Sequence, residues 1–344
     1  MTEASDPEDP SPPAPAPAPD GPAPLAAPHR YLGLTTFTVE GRQAPGLFVV
    51  GWLATLIGVG LTGTVAFGVT GIAGAVFSLL SLAGLSVGLI LLSGSQTIER
   101  RAAGATFAAP SPVLVLLTAF VVTRLAGFLV GVALLPIAER IPTEVGDLLG
   151  VLLQAGVSYS VVRLTIVGPG VLGWRDMGWS ADRLVVRRGL ASGVAYAAPI
   201  LAITWVLAAV VINLAGVSPP SPLPPTGTLA GLVVHLGAGA VIAPIAEEML
   251  FRGFAVTAWR RLVGVQGAVI RSSIVFVLAH ALFVTGDTFG EALRVAVIAA
   301  LVRLPVAFAL GVLFTRTGSI WAPIGLHAAF NGFLIVFVEL AARP

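Results

Sequence analysis

Beyond residue 45 the chain runs in long apolar stretches, broken by short clusters of Arg, Gly and Pro. A membrane-spanning helix needs about 20 mostly apolar residues. Nine segments reach that length, at about 46–69, 71–93, 112–136, 146–168, 190–215, 228–251, 267–286, 291–314 and 320–340. The first two are expected to form a tight hairpin through "GVTGI". The fifth and sixth are joined by "SPPSPLPPTG", too rich in proline to continue a helix. Between the fourth and fifth, "LGWRDMGWSADRLVVRRGL" mixes Trp, Arg and Asp, as an elbow lying on the membrane surface would. No internal repeat is visible, so the inverted symmetry common in transporters gains no support. The expected fold is all-α: a polytopic transmembrane bundle of about nine spans behind a disordered tail. Four N-terminal helices (46–168) precede a second group at 190–340.

Residues 1–30 differ in kind. They are Pro/Ala-rich, hold five of the 17 acids and have almost nothing to bury, which predicts disorder. They lack the basic start and early apolar run of a signal peptide. Composition agrees with a membrane protein: 56% of residues are hydrophobic and 10% charged, against about 25% charged in a soluble domain. The absence of cysteine excludes disulfides, thiolate nucleophiles and Cys-ligated metals. All 19 basic residues are Arg, and with the heavy use of Ala, Gly, Val and Pro this points to a GC-rich bacterial genome.

The arginines set an expected orientation. Arg100 and Arg101 follow the second span. Arg175, Arg183, Arg187 and Arg188 follow the fourth; Arg260, Arg261 and Arg271 follow the sixth; Arg316 follows the eighth. The alternate connections carry Glu139, Arg140, Glu144 and Asp147, then no charge, then Asp287 and Glu291. By the positive-inside rule the Arg-rich side and the N-terminus are cytoplasmic, in a multi-pass protein of the cell membrane.

Within the apolar segments, away from their ends, the only acids are Glu247 and Glu248, in "PIAEEMLFRGF". Intramembrane carboxylates are costly and mark candidate functional sites. Glu248 and Arg252 stand at i, i+4 on one helix face and can pair; a structural ion pair is the plain reading of that pair. Glu247 lies about 100° round the helix and is left for chemistry, such as the general base of a hydrolysis. Phe276 and His280 in "FVLAH", and His327 and Asn331 in "HAAFN", are also i, i+4 pairs. Alone, each reads equally as an interhelical polar contact. His235 reads as a helix–helix hydrogen bond, and His29 as solvated tail. Depths counted from Arg271, Arg316 and Arg260 place His280 at ~14 Å, His327 at ~10 Å and Glu247 at no more than ~20 Å. All three fall in the cytoplasmic half or near the midplane, in a cavity that must be wet. Of three further arginines, Arg163 can snorkel, while Arg124 and Arg303 are mid-span and need a cavity or a partner. Arg303 is open to two readings, pairing with backbone carbonyls or contact with a substrate carboxylate.

Glu247-Glu248-x-x-x-Arg252, Phe276-x-x-x-His280 and His327-x-x-x-Asn331, in this order on separate helices, resemble the CPBP family of CAAX prenyl protease and bacteriocin-processing (Abi) intramembrane proteases. The phrase "RTGSIWAPIGLHAAFN" is similar to that family's as well. The resemblance covers about residues 190–340. It implies an intramembrane endopeptidase opening to the cytoplasm. Eukaryotic members cleave prenylated C-terminal CAAX peptides, and bacterial ones are linked to bacteriocin maturation, self-immunity and membrane-protein processing. The implied catalytic residues are Glu247 activating water, His280 assisting, and His327 and Asn331 holding the oxyanion. Glu248, Arg252 and Phe276 support them. Glu247, His280 and His327 also offer a His2Glu set that would suit zinc, although a ligating Glu247 could not easily serve as base; a metal-free mechanism is preferred and zinc stays open. Expected partners are the lipid bilayer and a peptide or membrane-protein substrate, with no nucleic acid. Two alternatives remain: a non-catalytic immunity or scaffolding protein, and a proton-coupled transporter using Glu247 as a relay.

Overall fold

The computed structural model describes residues 30–216, 223–281, 284, 286 and 288–342. The expected tail, including His29, lies outside them apart from Arg30, and the Pro-rich 218–227 connection lies partly outside. Among the described residues every regular element is helical. Eight helices are long and apolar enough to cross a membrane, one fewer than the nine segments. The difference is local: Leu229–Ala281 counts as one 53-residue run holding the sixth and seventh spans. It breaks at Gly264, whose φ of 75° and ψ of 176° only glycine adopts readily.

We number the α-helices in chain order. α1 is Pro45–Ala66, α2 Gly71–Ala102, α3 Pro112–Leu134, α4 Thr143–Val162 and α5 Arg183–Ala215. α6 (Leu229–His235) and α7 (Ala243–Glu248) are separated by a π-helical stretch, Leu236–Ile242, and a second one, Met249–Val256, leads into α8 (Thr257–Ala281). α9 is Phe289–Thr317 and α10 Trp321–Ala341. The expected α1–α2 hairpin forms, but α2 runs past the apolar window to Ala102. Its last turns are polar, and two of their side chains, Gln96 and Glu99, are buried: Glu99 is fully enclosed and accepts the Gln43 N–H at 2.6 Å. The elbow is also shorter than expected. Asp182 caps a helix by accepting the Leu184 N–H at 2.7 Å, so the "RLVVRRGL" half becomes the start of α5.

The core is concentrated where the candidate residues are. Phe251, Phe254, Phe276, Phe314 and Ile324 pack with Leu172 and Met177 of the elbow. A second cluster joins α5, α9 and α10 through Ala197, Leu310, Leu326 and Phe330. α5 and α10 cross backbone to backbone: a side chain at Gly193 would strike the Ala322 carbonyl, and one at Gly325 the Leu190 carbonyl. Small residues permit this approach, the usual device where two helices must pack within lipid. The elbow clips onto the start of α10, with the Ile320 N–H donating to Gly178 at 3.1 Å and the Trp321 indole to Ser180 at 2.9 Å. α10, which bears His327 and Asn331, is thereby held along its length.

Candidate active site

Glu247 and Glu248 close α7, the short helix between the two π-helical stretches. Pro244 explains part of this geometry, because it lacks the N–H of a regular ladder and its ring crowds the carbonyl one turn back. π-helical turns recur at functional sites, where they free backbone groups from their usual partners. Here the Gly239 carbonyl, inside the first stretch, accepts the Asn331 side-chain amide at 2.9 Å.

The two glutamates part ways, as the helix geometry predicts. Glu248 is fully buried, and one of its oxygens accepts two bonds, from Arg252 Nη1 at 2.9 Å and from His327 Nδ1 at 2.7 Å. Arg252 is equally buried. It also donates to the Ala307 carbonyl of α9 at 3.1 Å, and its guanidinium lies 4.4 Å over the Phe276 ring. Ser273 donates to the same Ala307 carbonyl, and Ser272 to that of Phe251. Sequence reasoning paired Glu248 with Arg252 but missed its contact with His327 and both serines. Ser272 shares a face with Phe276 and His280 at four-residue steps, which is a readable signal. The Glu248–His327 contact spans 79 residues and has none.

Glu247 faces the other way. Its Oε2 lies 3.6 Å from His280 Nε2 and 3.8 Å from His327 Nε2, and has no hydrogen-bond partner among the described residues. Both imidazoles are oriented from behind. His280 Nδ1 lies 2.8 Å from the Phe276 carbonyl, which can only accept, so Nδ1 carries a proton. The same argument applies to His327 against the Glu248 carboxylate. Each ring therefore offers Nε2 to Glu247. Phe276 lies against both rings, 4.5 Å from His280 and 5.8 Å from His327 between centroids. The side chain of His280 is 28% exposed against 5% for His327, so the vertex opens on the His280 side.

Three of the expected residues thus converge on one point. Asn331 is committed to Gly239 through one N–H and keeps a second. The donor types would suit zinc, but no set of three His, Asp or Glu surrounds a common metal position among the described residues. His235 makes an interhelical contact, lying 3.2 Å from Asp147 of α4. Arg124 is exposed on α3 rather than enclosed. An apolar cavity of about 450 Å³ lies beside α7, lined by Tyr159, Trp174, Trp179, Ile245, Ala246 and Met249. Ile245 and Met249 are two residues either side of Glu247, about 160° round the helix, so that cavity backs the site instead of containing it.

Residues 229–333, which supply every side chain of this constellation, match the family described as type II CAAX prenyl endopeptidase Rce1-like. No curated protein and no solved structure matches the chain. The match supports a membrane endopeptidase, in agreement with the motifs. Over residues 229–333, therefore, this chain of multiple apolar helices is similar to the Rce1-like type II CAAX prenyl endopeptidases.

Proposed function

We propose that the chain is an intramembrane endopeptidase in which Glu247 activates water. The observation that carries this reading is the vertex of Glu247 Oε2 and two imidazole Nε2 atoms, at distances too long for direct hydrogen bonds and with Oε2 unpartnered among the described residues. Such an opening suits a water molecule or a reacting group. Glu247 takes a proton from water as its oxygen attacks the peptide carbonyl carbon, with His280 directing the water through Nε2. The oxyanion that forms is met by protonated His327 and by the free N–H of Asn331. Glu247 then returns the proton to the departing amine. Glu248 and Arg252 act behind this set: the carboxylate orients His327, and the guanidinium neutralises the carboxylate.

In this reading residues 190–340 are the catalytic domain and the four helices of 46–168 are its scaffold. α4 supports it directly, since Tyr159 lines the cavity behind α7 together with Ile245 and Met249. The Arg-rich face is cytoplasmic, and substrates enter from it. The test is a comparison of membrane-associated peptides from cells making the natural chain and cells making Glu247→Gln. Truncated peptides should be present in the first and missing from the second; identical peptide sets would refute the proposal. Zinc quantified in active protein, with activity followed through chelation, decides whether Glu247 acts as base or as ligand.

A further inference from the structure

α9 carries Arg294, Arg303 and Arg316. Arg316 stands in the last turn, at the Arg-rich end, and Arg303 donates from Nη1 to the Ala299 carbonyl at 2.9 Å, the backbone reading of that residue. Arg294 is different. It is exposed, and among the described residues it forms no ion pair and no hydrogen bond, although Glu291 stands one turn before it. It precedes Arg316 by ~33 Å of helix, and the hydrocarbon of a bilayer is ~30 Å thick. With Arg316 at one edge of the hydrocarbon, Arg294 therefore stands at the other.

Beside Arg294, between α9 and the end of α5, runs an apolar groove of about 500 Å³. Val211 and Leu214 form one wall, Val297 and Leu301 the other, and Ile298, itself buried, is the floor. Ala215 and Gly290 also line it and are too small to close it; a Cβ at Gly290 would meet no atom within 4 Å. Gly290, Arg294, Val297 and Leu301 follow at steps of three and four residues and share one stripe of α9. From Arg294 the groove descends ~10 Å to Leu301, within the ~15 Å hydrocarbon depth of one leaflet.

Size and charge select the occupant. Gly290 to Leu301 spans ~16 Å, so about 500 Å³ averages ~30 Å² in section. A helix, about 10–12 Å across with its side chains, needs ~80–110 Å²; an extended hydrocarbon chain is far thinner. At the level of Arg294 a planar guanidinium takes a phosphate with two parallel bonds. A zwitterionic headgroup would set its own cation beside Arg294, and a headgroup of net negative charge would not. We propose that the α5–α9 groove binds a phospholipid of net negative charge in the leaflet away from the Arg-rich face. Its phosphate rests on Arg294 and one acyl chain lies along Val297 and Leu301. The site makes no use of the vertex and is independent of the peptidase reading.

The experiment locates the lipid directly. Full-length protein is placed in phosphatidylcholine nanodiscs holding a trace of phosphatidylglycerol with a diazirine in its acyl chain, or of phosphatidylcholine with the same chain. Labelled peptides are mapped after illumination. Segments 211–215 and 293–301 should take up the phosphatidylglycerol about tenfold more than the phosphatidylcholine, as a charge-assisted bond implies. Arg294→Gln should bring that ratio close to one, and Arg294→Lys should keep part of it. Arg187→Gln, near the opposite end of α5, should leave it unchanged. Glycerol phosphate, which has the phosphate without the chains, should not compete. Equal labelling by the two lipids in the natural protein overturns the proposal, as does a preference that survives Arg294→Gln or a lack of label in these segments. Competition by glycerol phosphate overturns the lipid assignment in favour of a free phosphate.

Discussion

Two of the regions that bury a carboxylate treat it in opposite ways. At the end of α2, Glu99 is fully enclosed and is taken up by the fold. It accepts the Gln43 N–H, and the 30–44 segment folds over it. Neighbouring groups there are equally spent: Gln96 donates to the Tyr31 hydroxyl and accepts from the Ser111 N–H, and Arg42 donates to carbonyls of its own segment. At α7, Glu247 is a little more open and makes no hydrogen bond through Oε2 to any described residue, while two oriented imidazoles face it. Burial alone does not mark a reactive acid. What separates the regions is whether the carboxylate has already been given a partner.

The largest expected effect separates them outright. Glu247→Gln should lower cleavage by about 10²–10⁴-fold, the usual contribution of a positioned base. Its thermal stability should stay at or above that of the natural protein, because Glu247 Oε2 forms no hydrogen bond to lose among the described residues. A comparable loss of melting temperature in Glu247→Gln would mean that Glu247 belongs with Glu99 as a structural acid.

Glu248→Gln comes next and tests the boundary between the two kinds of acid. It strands Arg252 in a buried position, which should cost about 3–5 kcal/mol of stability. It also weakens the bond that orients His327 Nδ1, because a neutral amide oxygen replaces the carboxylate. Glu248→Leu with Arg252→Met should restore most of the stability, since apolar replacement of a buried pair is often near neutral. Activity should stay low in that double variant, because nothing orients His327. Recovery of both would reduce Glu248 to a packing element. Phe276→Leu is milder. It removes the ring lying against both imidazoles and the Arg252 guanidinium, and about tenfold in kcat is expected, with KM little changed, as for loosened orientation of catalytic groups.

These contrasts also show what the sequence could disclose. Glu247 and Glu248 stand out because hydropathy around them is high, so a charge there contradicts its surroundings. Helix periodicity then separates the two, since Arg252 falls on the face of Glu248 alone. The helical fold and nearly all the spans follow from the same apolar runs. Glu99 gives no such contrast: it lies in "SQTIERR", past the apolar window, and its burial depends on a segment some 56 residues away. The Glu248–His327 contact is hidden for the same reason, as are the carbonyl of Gly239 for Asn331 and that of Phe276 for His280. Backbone acceptors have no sequence signature, and neither do the π-helical turns around Gly239.

The smallest prediction completes the comparison from the other side. Glu99→Gln keeps the shape and the acceptor oxygen but removes the charge. The Gln43 N–H retains a partner, so the cost is that of weakening a charge-assisted bond and of placing an amide where a carboxylate fitted, about 1–3 kcal/mol. The loss should appear as a lower melting temperature in detergent or nanodiscs, with kcat per folded molecule unchanged, because Glu99 sits at the far end of α2 and touches none of the residues around Glu247. Faster proteolysis within 30–44 should accompany it, since that segment is held down through Gln43. A drop in kcat at unchanged stability would contradict the distinction between satisfied and unsatisfied acids, and would place the 30–44 segment in the path of the substrate.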